Sequence, residues 1–220
     1  YTETSVPSIS MLFESKDLTD EIIVKVRKGL LKHGSKISVP MYFAFCMLPE
    51  PMPARKYDYR MGFFNERYND FPNDPHNRIA NIARWRLEKL NKLQEFSVPK
   101  KPITFIMSPD IPKKWRPYVR AGIEEWLPAF EAAGFKNALI VKEVDSLTEW
   151  QTYSIHNSIV YWGNSTEFRG AERGGFGGTI ANIIDERTGE ILKGDIYIGT
   201  SREAYSEKYF IRAAPLDIRA

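Results

Sequence analysis

The side chains with most scope for chemistry are His33, His76, His156, Cys46 and the adjacent pair Glu124 and Glu125. A protein zinc site needs several nitrogen or sulfur donors converging on one point, and two histidines four residues apart on a helical face are its usual beginning. The three histidines here are far apart in sequence, so none is assigned as a metal ligand. Glu124 and Glu125 project in different directions from a helix, and Arg120 with Glu124 makes an ordinary solvated i,i+4 pair. No Gly-x-Ser-x-Gly elbow is present, and Cys46 falls in an apolar run where burial outweighs reactivity. No residue is assigned as catalytic.

The stretch RGAERGGFGGTIANIIDERTGEI, Arg169 to Ile191, is more informative, because it packs five glycines into nine residues before turning apolar and β-branched. A phosphate loop would need Gly-Lys-Ser/Thr opening a helix, so that backbone N–H groups and the helix dipole meet the phosphates. Thr179 follows Gly178 with no lysine, and the sequence beyond it is β-like. A dinucleotide fingerprint fails for the same reason, since it runs strand, glycines, helix. Asp185 and Gly189 in DERTGE, between two β-like runs, predict a type I turn with Gly189 left-handed. The glycines therefore lead into a β-hairpin, either as a mobile connector or as a rim where another backbone approaches closely.

These features need a scaffold, and the composition allows one. The chain is 43% hydrophobic and 13% aromatic, enough to bury a core, and its net charge of +3 is too small and dispersed to argue for a nucleic-acid partner. One cysteine leaves no intrachain disulfide and no cysteine zinc cluster. No apolar run approaches the about 20 residues that a membrane helix needs, so no membrane span is expected.

Residues 1–98 read as a β-rich N-terminal region. EIIVKV (Glu21 to Val26) and KISVPMYFAFCML (Lys36 to Leu48) flank the turn-like LKHGSK and predict a hairpin. Pro49 to Pro53 predicts a stiff extended connector. Between Asn77 and Phe96, Ile79, Ile82, Trp85, Leu90 and Leu93 fit a helix loosely, while IARWRLE alternates as a strand does; the alternation predicts a strand over Ile82 to Glu88. SVPKKP (Ser97 to Pro102) is the expected internal boundary, with residues 99–220 alternating β and α. ITFIM, ALIVKEV, SIVYW, GTIANII and EILKGDIYIG predict strands. Trp115, Val119, Gly122 or Ile123, Trp126 and Phe130 predict an amphipathic helix kinked at Pro128 and stopped at Gly134. A polar helix is expected from Ser201 to about Arg212. The fold class expected is α+β.

Several segments in order resemble one family, the bacterial zinc-dependent metalloproteases of the metzincin-like type. They are YDYRMGFF (Tyr57 to Phe64), RWRLEK (Arg84 to Lys89), the run from Lys101 to Phe135, and GGTIANIIDERTGEILKGDIYIG ending at Gly199. The resemblance covers about three quarters of the chain. It implies that residues 99–220 are the upper half of a zincin-like domain, a mixed sheet with packed helices. In that family the H-E-x-x-H helix follows the strand matching GEILKGDIYIG, and no such motif occurs in this sequence. The resemblance therefore implies a region upstream of the active-site helix, catalytically incomplete by itself, with zinc held in the remainder of a secreted, periplasmic or envelope-associated parent. It further implies that an extended peptide or protein substrate lies beside an edge strand, which assigns Gly175, Phe176, Gly177, Gly178, Thr179 and Ile180 to substrate binding, on a strand Gly177 to Ile184 with one side unpaired. The alternative left open is a non-catalytic protein- or glycan-binding envelope module.

Overall fold

The structure is a computed structural model that describes residues 4–32, 34–70, 74–163 and 178–199. Along the chain its strands are β1 (Thr4–Ser5), β2 (Met11–Asp17), β3 (Glu21–Lys32), β4 (Ser35–Cys46), β5 (Asn65–Asp70), β6 (Asp74–Ile82), β7 (Ile103–Met107), β8 (Leu139–Glu143), β9 (Ser158–Gly163), β10 (Gly178–Asp185) and β11 (Glu190–Gly199). The helices are α1 (Arg116–Glu124), α2 (Leu127–Ala132) and α3 (Glu149–Tyr153). The class is α+β, and among the described residues no helix is long and apolar enough to cross a membrane.

The chain forms two compact units, one of residues 1–50 with 148–157, the other of 51–147 with 158–220. In the first, the expected hairpin is present: β3 and β4 pair antiparallel from Glu21↔Cys46 to Lys32↔Ser35. On its other side β3 pairs with β2 and, further along, with β1. Among the described residues β4 pairs on one side only, with β3, and an edge strand is where Pro40 is tolerated. The short α3 carries a capping box, with Thr148 Oγ1 accepting from the Gln151 amide and Gln151 Oε1 accepting from the Thr148 amide. It is tied to the sheet by Lys25–Glu149 and by Tyr42, which stacks on Tyr153 with centroids 3.9 Å apart. Glu21, buried on β3, accepts from Ser154 Oγ at 2.6 Å and from the Ile155 amide at 2.7 Å.

In the second unit a five-stranded sheet has the order β10-β11-β9-β7-β8. β7 runs parallel to β8 and β9, β9 runs parallel to β11, and β10 runs antiparallel to β11. The apolar run ITFIM becomes β7 at the middle of its parallel section, as a strand covered on both faces should read. Ile103, Phe105 and Met107 join Leu139, Val141 and Val160 in the core, and Val119, Ile123 and Phe130 pack against it from the helices.

Three sequence expectations meet a different arrangement here. One kinked helix was expected, and two helices are found. Pro128 lacks the N–H that would bond to Glu124, and its ring collides with that carbonyl, so α1 ends at Glu124 and Pro128 occupies the first turn of α2, where a missing donor costs nothing. Gly134, with φ +85°, ends α2: its N–H bonds to Glu131 O and that of Phe135 to Phe130 O, a Schellman closure. The strand expected over Ile82 to Glu88 is found earlier, because β6 ends at Ile82 where its partner β5 begins at Asn65. Past that point Trp85 and Leu87 pack against the core without a ladder. The boundary expected at Ser97–Pro102 lies inside the second unit, where Ser97 bridges to Phe135. The helix expected from Ser201 to Arg212 lies outside the described residues.

Candidate functional site

The turn between β10 and β11 fixes everything at this end of the sheet. Asp185 O accepts the amides of Thr188 at 3.1 Å and Gly189 at 2.8 Å, and Gly189 takes φ +76°, as DERTGE predicts. A Cβ on Gly189 would lie 2.3 Å from Ile82 O, so glycine is required for contact as well as for backbone geometry. The Asp185 carboxylate is buried; it accepts the Arg187 amide at 3.0 Å and the Arg187 guanidinium at 2.7 Å, and that guanidinium holds its pKa below the usual carboxylate value.

The segment after β6 clamps the same turn. Arg84 pairs with the strand through its amide to Gly189 O and its carbonyl to the Ile191 amide, both at 2.9 Å. Arg86 binds the buried Glu190 carboxylate, its Nε 2.8 Å from Oε1. Asn81 Nδ2 reaches Glu186 O and Arg187 O. RWRLEK thus positions the β10–β11 hairpin, a role that its alternating pattern did not disclose.

Farther along β11, Lys193 and Asp195 form a buried pair at 3.5 Å. Asp195 Oδ1 also accepts the Ile159 amide at 2.8 Å, and burial pushes the Asp195 carboxyl upward. Leu192 is the extra residue of a bulge that shifts the register between Ile183 and Ile184.

Beyond the turn, β10 is an edge strand. It pairs with β11 from Gly178↔Ile198 to Asp185↔Glu190, and among the described residues no strand lies on its other side. Its sequence GTIANIID has no proline and one charge, Asp185 at its end, which is buried and bound by Arg187; Asn182 and Ile183 are exposed. The opposite edge of the sheet, β8, contrasts with it. There Arg120 donates to Val141 O at 2.8 Å and to Glu143, and Lys142 and Glu143 are exposed charges on the strand. Charges and occupied backbone groups protect an edge from pairing; β8 has both, and among the described residues β10 has no exposed charge.

Gly178, Thr179 and Ile180 of the expected substrate rim occupy the first three positions of β10, opposite Ile198, Tyr197 and Ile196. Gly175, Phe176 and Gly177 lie outside the described residues. His33 also lies outside them, His76 falls within β6, and the His156 ring is 2.9 Å from Asp20. Among the described residues no three His, Cys, Asp or Glu side chains are grouped to hold a metal. Cys46 is half-buried, and burial raises its thiol pKa, the reverse of what a nucleophilic cysteine requires.

A family model described as Domain of unknown function (DUF5117) matches residues 8–90, a span running from the first unit through the β5–β6 hairpin to the arginine clamp. No curated protein and no solved structure matches the chain.

Proposed function

We propose that this chain supplies the scaffold and a substrate-binding edge strand to a zinc-dependent metalloendopeptidase of zincin-like fold, secreted or held in the bacterial envelope. Zinc and its ligands belong to the remainder of that protease, and the chain is catalytically incomplete without it. The observation that carries the reading is the edge of β10, which among the described residues is unpaired and shows no exposed charge, beside the clamped hairpin. An extended peptide gains main-chain hydrogen bonds from such an edge, and the glycine at its start lets the peptide backbone approach without a Cβ between. The task of these residues is to hold and align the peptide, while the arginine clamp keeps the strand still.

The test uses the chain joined to the sequence that continues its reading frame. Chelator-sensitive cleavage of an unstructured protein such as casein is expected, and Gly178→Trp should slow that cleavage at least tenfold while leaving zinc content intact. Full activity in Gly178→Trp, or cleavage indifferent to chelators, overturns the reading.

A non-catalytic binding module is the second reading. It is favoured by Ile22, Phe43 and Phe45, which share one face of the first unit's sheet and are 47%, 45% and 64% exposed. It predicts that Phe43→Ser with Phe45→Ser abolishes capture of a protein or glycan ligand, a change that leaves the β10 edge untouched.

A further inference from the structure

We infer that β10 selects, in the chain it binds, an apolar residue at the position opposite Ile183; the inference rests on the peptide-binding reading of this edge. Successive side chains on a strand project to opposite faces, so Asn182 and Ile183 present different chemistry to the two sides of an added strand. Both are exposed, Ile183 by 48%. On the β11 side Ile183 is opposite Lys193, whose side chain is 6% exposed and paired with Asp195. That ammonium is therefore already engaged, and the surface of Ile183 left in water is available to a strand added at the edge that is unpaired among the described residues.

Side chains directly opposite on paired strands come within about 5 Å, and the energy of a pair depends on its chemistry. An apolar residue opposite Ile183 removes its exposed surface from water, and a polar residue does not. The charge on the same face of β10, Asp185, is buried and bound by Arg187, so it offers no ionic contact to override this one. Beyond Ile183 the strand β10 continues only through Ile184 and Asp185 to the turn, which limits the register that an added strand can follow. The opposite face at that point carries Asn182, which accepts a polar neighbour.

The experiment measures amide exchange at residues 182–184 of the full chain, with two capped seven-residue peptides of alternating threonine and serine. One has leucine at the centre and its twin has serine. The leucine peptide is expected to slow exchange at these amides and to bind about threefold more tightly than its twin. Ile183→Ser should erase that difference and Ile183→Val should keep it; both replace an exposed side chain, so the fold survives. Equal binding of the twins with protected β10 amides overturns the selectivity and leaves the peptide-binding reading intact. Failure of both peptides to protect β10 removes that reading and the selectivity with it. Protection that rises with protein concentration and without peptide shows that a second copy occupies the edge, which also overturns the inference.

Discussion

Gly189 shows how much one residue can decide in this protein. Its φ of +76° is a region that side chains with a Cβ avoid, and Ile82 O stands 2.3 Å from where that Cβ would be. Gly189→Val therefore meets backbone strain and a collision with main chain that cannot rotate away. A loss on the order of 2–3 kcal/mol is expected, read as a lower midpoint in urea unfolding. An unchanged midpoint would show that the turn is not a fixed point of the fold. This residue was legible from DERTGE because turn chemistry is local. Asn81, Arg84 and Arg86 were not, because their partners at 186–191 are about a hundred positions away, and no spacing rule connects them.

At the scale of elements, the strands read correctly from sequence were those with a strong apolar run bounded by breakers: β3, β4, β7, β8, β9, β10 and β11. The misplacement near Ile82 has a physical origin. IARWRLE alternates because Trp85 and Leu87 point to the core, and alternation reports burial whether or not a ladder exists. α3 was missed although Thr148-x-x-Gln151 is a capping-box signature, since a five-residue helix offers too few turns for periodicity to register. The edge position of β10 was expected from glycine density and from the resemblance; among the described residues Gly178 to Ile184 pair with β11 alone. The β10–β11 hairpin also carries a pH dependence of definite sign. Arg187 depresses the Asp185 pKa in the folded protein, so this carboxylate contributes stability that is complete above the ordinary value near pH 4 and is lost as pH falls below it. Asp195 acts in the other direction, because burial raises its pKa and the cost of its charge is relieved as pH falls. Asp185→Asn should flatten the acid limb of a stability–pH profile and lower stability at pH 7. If the limb keeps its slope in that variant, other carboxylates govern the acid transition.

At the scale of the whole molecule, the chain leaves the first unit at Glu50 and returns to it for residues 148–157, so that unit is discontinuous in sequence. Neighbours along the chain need not open together; cooperative units follow packing and hydrogen bonding. The returning segment is held by groups from β3 and β4: Glu21 on Ser154 and Ile155, Lys25 on Glu149, and Tyr42 against Tyr153. Glu21 is the strongest of these ties, since it is 1% exposed and its two oxygens accept from two separate donors. Glu21→Ala would leave a buried amide and a buried hydroxyl without their acceptor, at a cost of about 2–3 kcal/mol. Glu21→Gln keeps one acceptor oxygen and should cost less. In native-state hydrogen exchange at low denaturant, amides of residues 148–157 are expected to open together with those of β3 and β4, and separately from β8 and β9, between which they lie in sequence. Glu21→Ala should lower protection in 148–157 and in β3 while leaving β7, β8 and β9 as they were. Should the 148–157 amides instead open with β8 and β9, and ignore the Glu21 substitution, the segment would belong to the second unit, and the contacts of Glu21 would contribute nothing to cooperativity.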